Sequence, residues 1–418
     1  MSTVPPIPPY DARKLSRITF RADLGRGFCF GFAEACWESL FLLIAIRVFQ
    51  GGGTGIEGLG DAETKTLKSI LLAGGFLGLL LSPISLNVAS RLGLPVSWIA
   101  SGYLFISGTI AASALFAESL EVFVACAALS QLFATSSAPL RTQIYSNNYQ
   151  RHERGTRVAT TLMLAAAVSS LFALGGGALL DLDLDYYRVI IGLMALSTFG
   201  GVFFTARIPS RPLQRRDAGN IFQNLGLLRS DATFGIMIAA WFLMGLGNLM
   251  MRGLKTEYLV QPAYGIVANN STVSLLTWTL PVIFRLLSIQ FWGLLFDRIA
   301  FLYMRILIST CFLVGILIYF NNTNVWLIGV GAAVMGLGAG GGNIAWNLWV
   351  TKLAPPERTG AYMSIHTGFT GLRGTMAPFL GYYLLDTIDP TGAAWTAAGL
   401  ILASIVIFWG IRRDPRIR

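Results

Sequence analysis

The chain has 418 residues, 54% of them hydrophobic and only 12% charged, with a mean hydropathy of +0.62. Soluble globular proteins carry about 25% charged residues, so a water-soluble fold with a polar shell is excluded, and so is a disordered chain. A net charge of +10 would suggest nucleic acid as a partner in a soluble protein; here the charges sit at the ends of apolar runs, and no nucleic-acid partner is expected.

In chain order, residues 1–26 read as a disordered, basic cytoplasmic tail, with Pro5, Pro6, Pro8 and Pro9 ahead of Arg13, Lys14, Arg17 and Arg21. No short apolar stretch leads to a small-residue cleavage site, so no signal peptide is expected. Six apolar spans fill 27–206, at roughly 28–49, 67–89, 96–116, 122–146, 158–180 and 188–206. A cytoplasmic linker, 207–230, carries Arg211, Arg215 and Arg216. Six more spans fill 231–411, at roughly 231–252, 273–296, 302–320, 325–348, 361–385 and 393–411, before a basic tail at 412–418. The runs are long and continuously apolar, so they predict helices rather than barrel strands. The fold class is therefore all-α and integral to the membrane, with twelve transmembrane helices.

With the N-terminus inside, 22 Lys and Arg fall in inner segments and five (Lys65, Lys68, Arg188, Arg252 and Lys255) in outer ones. That asymmetry predicts both termini cytoplasmic and a cell (inner) membrane location. The halves echo each other. Arg154 and Arg358, Asp181 and Asp386, and Arg91 and Arg298 recur at offsets of 204, 205 and 207 residues. Near-constant offsets indicate a duplicated six-helix unit, the architecture of parallel-repeat transporters.

Gly293-Leu-Leu-Phe-Asp297-Arg298, with a reduced copy at Leu86, Ser90, Arg91 and Gly93, resembles the Gly-x-x-x-Asp-Arg loop of the major facilitator superfamily. Ala354-Pro355-Pro356-Glu357-Arg358 and Gly374 through Gly381 also resemble superfamily sequence, whereas the helix 5 antiporter motif is absent. The resemblance spans about residues 20–411 and implies two pseudo-symmetric six-helix bundles. It also implies a central cavity bordered by helices 1, 4, 7 and 10, with 8 and 11 beside them. Arg91, Asp297 and Arg298 would then serve as gating-loop residues.

Ionisable groups at mid-membrane are expensive and are functional candidates by default. Glu34 and Glu38, four apart on helix 1, share one face. Two carboxylates stacked in a low dielectric resist being charged together, which makes the pair a candidate proton carrier. Arg285 and Arg373 lie near mid-depth of helices 8 and 11. His366, Thr370 and Arg373 form one polar stripe; Asn343, Trp346 and Asn347 form another; Gln131 and Asn248 add single polar groups. All are expected to line the cavity. Two readings of the arginines stand: they grip an anionic substrate group, or they pair with Glu34 and Glu38 as an ion network.

Cys29, Cys36, Cys126 and Cys311 all lie in apolar segments and give no disulfide framework. Two histidines cannot build a metal site, no phosphate-loop lysine is present, and no nucleophile constellation marks an enzyme. No cofactor is expected. The glycine patterns at Gly336, Gly338, Gly340, Gly342, Gly74 and Gly78 read as close helix packing. The sequence thus predicts a monomeric, proton-coupled secondary transporter of a small organic solute, anionic in the first reading. The alternatives are a drug or metabolite efflux pump and a non-transporting receptor or assembly factor on the same fold.

Overall fold

The computed structural model describes residues 11–50, 61–213, 225–355, 358–412 and 414. Hydrocarbon offers no water to open backbone groups, and among these residues helix is the only extended regular structure; one isolated bridge pairs Pro95 with Pro212. The long helices are α1 (Ala12–Gln50), α2 (Asp61–Leu92), α3 (Val96–Phe116), α4 (Leu120–Asn148), α5 (Arg151–Leu182) and α6 (Leu184–Ala206). The second six begin with α7 (Ala232–Val260), α8 (Asn270–Phe296), α9 (Phe301–Phe320) and α10 (Val325–Leu353). The last helical stretch, Thr359–Gly410, is broken at Ile388 and Asp389, giving α11 (359–387) and α12 (390–410). Asp389 adopts φ 64°, ψ 172°, a region that disfavours a side chain. Its carboxylate accepts from Gly392 N at 2.7 Å and caps α12, and Pro390 follows as the first helical residue.

All twelve expected spans are present, but the helices overrun them. Residues 12–26 belong to α1 and are not a disordered tail. Ser16, Thr19, Asp23 and Arg26 recur at three- and four-residue spacing and are buried, while Arg13, Lys14, Arg17 and Arg21 stay exposed. This face docks on α4: Asn148 Nδ2 donates to Thr19 Oγ1 at 2.9 Å, and Tyr145 Oη donates to Asp23 Oδ1 at 2.9 Å. Because the buried face is polar, hydrophobic periodicity does not reveal it. Of the expected linker, residues 214–224 lie outside the described residues.

Packing repeats between the halves. α2 packs on α4, as α8 packs on α10. Glycines permit both approaches: a Cβ at Gly74 or Gly78 would meet the α4 backbone at Ala128 or Leu132, and one at Gly336 would meet Pro281 O at 2.4 Å. Across the halves, α2 packs on α11 and α5 on α8.

The core is not symmetric about the mid-plane. At the end away from the termini, the far end, one apolar cluster runs through both halves and joins Leu43, Phe49 and Leu71 to Leu254, Val273 and Tyr319. Toward the end that carries the termini, the near end, it divides. One cluster around Ile99, Leu140 and Ile208 belongs to the first half, and another around Phe234, Phe301 and Trp349 to the second. The halves thus share one apolar core at the far end and keep separate cores at the near end.

Candidate functional site

At mid-depth α1 carries Glu34 and Glu38 toward the second half. Glu38 sits inside a π-helical turn, Cys36–Leu40, and α8 carries its own π-helical turn at Leu275–Thr279. The two turns touch across the halves, Ser39 Oγ lying 3.1 Å from Thr277 Oγ1. π-Turns insert one extra residue and are recurrent at functional sites.

Each acid faces one arginine of the other half. Arg252 of α7 reaches Glu38 Oε2 at 3.0 Å and donates to Trp37 O at 2.7 Å. Arg285 of α8 lies 3.9 Å from Glu34 Oε1 and 5.4 Å from the Trp278 ring. The first is a close ion pair, with the Arg252 hydrogen bond going to Trp37 O; the second is longer, and both are held by Coulomb attraction. The four side chains are 14–30% exposed, so they border open space rather than fill a dry core. The cluster sums to zero charge and joins the halves.

A second set of polar contacts ties the far ends together. Lys68 of α2 and Glu257 of α7 meet at 2.6 Å, each side chain only 3% exposed, and Tyr382 Oη donates to Glu257 Oε1 at 2.9 Å. Asp181, closing α5, accepts from the backbone N–H of Asn270 (2.6 Å) and Ser271 (3.0 Å), capping α8 from the opposite half. Its repeat equivalent Asp386, near the end of α11, pairs with Lys65 of α2. Arg47 donates to Asn270 Oδ1 (3.1 Å) and Ala268 O (2.6 Å).

The expected site residues divide. Glu34, Glu38 and Arg285 meet as an ion network rather than leaving Arg285 free for an anion. Arg373 is not with them: it is buried inside the second half, donating to Trp241 O across the bare backbone of Gly245. His366 and Thr370 follow it inward. The His366 ring packs edge-on to Trp241 and Trp349, and Thr370 Oγ1 donates to His366 O at 2.9 Å. Gln131 is buried and bonds Leu71 O of α2 at 3.1 Å, a contact within the first half. Asn248 and Trp346 are half-buried and Asn343 is exposed. Arg91 and Arg298 are exposed at the near end, while the side chains of Asp297 and Asn347 lie outside the described residues.

Sequence reasoning missed Arg252, Lys68 and Glu257, which a ~20-residue span places in outer loops; here they sit in helices of 32 and 29 residues. Arg305, one of the 22 Lys and Arg assigned to inner segments, is buried within α9. The alternation of Arg252, Lys255 and Glu257 at the end of an apolar run is the signal that could have found the first group.

With this geometry in place, comparison with known proteins agrees. Residues 256–418 match the family model described as Major Facilitator Superfamily. The D-xylose-proton symporter structure superposes with a TM-score of 0.70 at 15% identity, covering 94% of this chain and 96% of that one. The nucleoside transporter NupG superposes with a TM-score of 0.66 at 14% identity, covering 96% and 99%. A 123-residue segment is 27% identical to the glucose transporter GlcP of Staphylococcus epidermidis, spanning 29% of this chain and 27% of that relative's length. The fold is that of a multi-pass membrane protein and matches these solved transporter structures. Residues 256–418 are thus similar to the Major Facilitator Superfamily, and the fold of the whole chain is the one shared by these solved transporters.

Proposed function

We propose that this chain is a proton-coupled secondary transporter working by alternating access between the bundles at 27–206 and 231–411, in the inner membrane with both termini cytoplasmic. Its substrate is a small, polar, uncharged organic solute of the sugar or nucleoside kind. The observation that carries this reading is the pair of cross-half contacts Glu34–Arg285 and Glu38–Arg252 at mid-depth. Rocking the halves apart at the far end must break both pairs. A carboxylate stripped of its arginine in low dielectric is costly, and taking up a proton removes that charge. Proton movement is thereby tied to the change of access. Both arginines are engaged by acids, which favours a neutral hydroxylated solute over an anion in this hollow. The names of the structural and sequence relatives, xylose, nucleoside and glucose transporters, point the same way. The joined far core and divided near cores suit a state open toward the cytoplasm.

The test is transport by the purified protein in proteoliposomes, with labelled xylose, glucose and uridine. Glu34→Gln is expected to abolish accumulation driven by a proton gradient while sparing counterflow exchange, and Glu38→Gln to weaken both. Gradient-driven accumulation that is unchanged in both variants would overturn the proposal.

A further inference from the structure

The near part of the second half contains two arginines that form no ion pair with an acid among the described residues. Arg305 is 1% exposed and Arg373 is 7% exposed. Among the described residues, neither hydrogen bonds to a carboxylate. Arg305 spends one N–H on the thioether sulfur of Met244 at 2.9 Å and lays its guanidinium over the Trp241 ring at 3.7 Å. Arg373 turns back onto Trp241 O. These are weak substitutes for a counter-charge. Five buried polar atoms here have no hydrogen-bond partner among the described residues: Nε of Arg305, Nε of Arg373, Nε1 of Trp241, Nε1 of Trp349 and Nε2 of His366. The rings pack together, with His366 lying 4.9 Å from Trp241 and 5.3 Å from Trp349. The carboxylate of Asp231, at the near end of α7, is already engaged by Tyr362 Oη at 2.9 Å and Phe234 N at 3.1 Å.

Uncompensated buried cations cost several kcal/mol each, and unpartnered buried donors add to that cost. One species cancels both deficits, a compact anion with several acceptor oxygens. We infer that Arg305, Arg373, Trp241, Trp349 and His366 form an anion site inside the second half, which takes the oxyanion of a carboxylate or phosphate. The planar N–H forks of the guanidiniums suit such oxygens. The group lies toward the near end: Arg305 is the fifth residue of α9, and Trp349 lies in the last turn but one of α10. The site is separate from the Glu34 and Glu38 cluster, and the inference stands whether or not those acids carry protons.

The experiment uses the full-length protein in nanodiscs, read by tryptophan fluorescence and thermal unfolding. Inorganic phosphate and acetate probe a free ion; glucuronate and glucose 6-phosphate probe the same group carried on a solute; glucose is the neutral control. Saturable quenching and a raised melting temperature that depend on Arg305 and Arg373 are expected with at least one anion pair, whereas any response to glucose, a candidate solute of the Glu34 and Glu38 hollow, is expected to be the same in the arginine variants as in the wild type. Arg305→Gln and Arg373→Gln should each weaken the response roughly tenfold or more, while Arg207→Gln, in the other half, should not. Response to free ions assigns an ion site; response only to the organic acids assigns a solute group. Should either glutamine variant fail to fold, Trp349→Phe keeps the aromatic packing, removes one donor and must also weaken the response. No anion response, or one that Arg305→Gln, Arg373→Gln and Trp349→Phe leave intact, overturns the inference.

Discussion

Lys68 and Glu257 form a dry ion pair, and what holds it is geometry: a 2.6 Å contact to Oε1, which also accepts from the Tyr382 hydroxyl, with the Gln261 amide donating to Oε2. Removing one member leaves the other buried and charged. Glu257→Gln should therefore destabilise the closed far end by about 3–5 kcal/mol, read as a lower unfolding temperature. Lys68→Met combined with Glu257→Leu should recover most of that loss, because an apolar pair carries no orphan charge. If the single variant unfolds like the wild type, the pair is not a latch. At this scale the sequence was legible only where charge interrupts an unbroken apolar run. Glu34 and Glu38 stand out on that ground. Lys68, Arg252, Glu257 and Arg305 do not, because each lies near a span end, where a charge is ordinary. Only the extra helical length of α2 and α7 places the first three inside the protein. Arg373 was found but assigned to the wrong hollow, since a stripe at three- and four-residue spacing says which residues share a face and not which neighbour that face meets.

Helices meet across the halves through residues without side chains. A Cβ at Gly177 of α5 would stand 2.6 Å from Asn270 O and 2.7 Å from Ser274 Oγ of α8. One at Gly371 of α11 would stand 2.7 Å from Leu80 N of α2. Overpacking such contacts costs about 1–3 kcal/mol, enough to change which end of the molecule is closed. Gly177→Val is expected to keep the protein folded and inserted but to hold the far end ajar. In a cysteine-free background, Thr277→Cys should then react with a membrane-impermeant thiol reagent several-fold faster than it does with Gly177 in place. Equal labelling rates would refute this. The duplication was legible in the offsets of Asp181 and Asp386, and the structure gives those offsets a physical meaning. Each acid binds the first turns of a helix in the opposite half, so the repeat is one of function as well as of sequence.

For the molecule as a whole, the separate near cores and the shared far core set the order of events. Under the proposed alternating access, the near end is the one that would admit solute without breaking an apolar core shared by both halves. If the near end faces the cytoplasm, as the distribution of Lys and Arg predicts, single cysteines replacing exposed Arg91 or Arg298 should react with an impermeant reagent in inside-out vesicles and stay silent in right-side-out cells. The opposite pattern would invert the orientation. The number of crossings was legible because hydropathy dictates it, and the two-bundle plan was legible through the repeat offsets and the family resemblance. The tilt between the bundles was not, because it depends on which pairs of helices pack along their full length.

The facing π-turns at Cys36–Leu40 and Leu275–Thr279 have a consequence for exchange with solvent. A wound-in extra residue loosens the backbone ladder just where α1 and α8 touch, at a depth where amides are ordinarily the last to trade their hydrogens for deuterium. These two stretches should exchange early, as a pair, and slow together once a transported molecule is bound between them. Deep protection lost at matching heights on two helices would mark the pivot about which one bundle swings on the other.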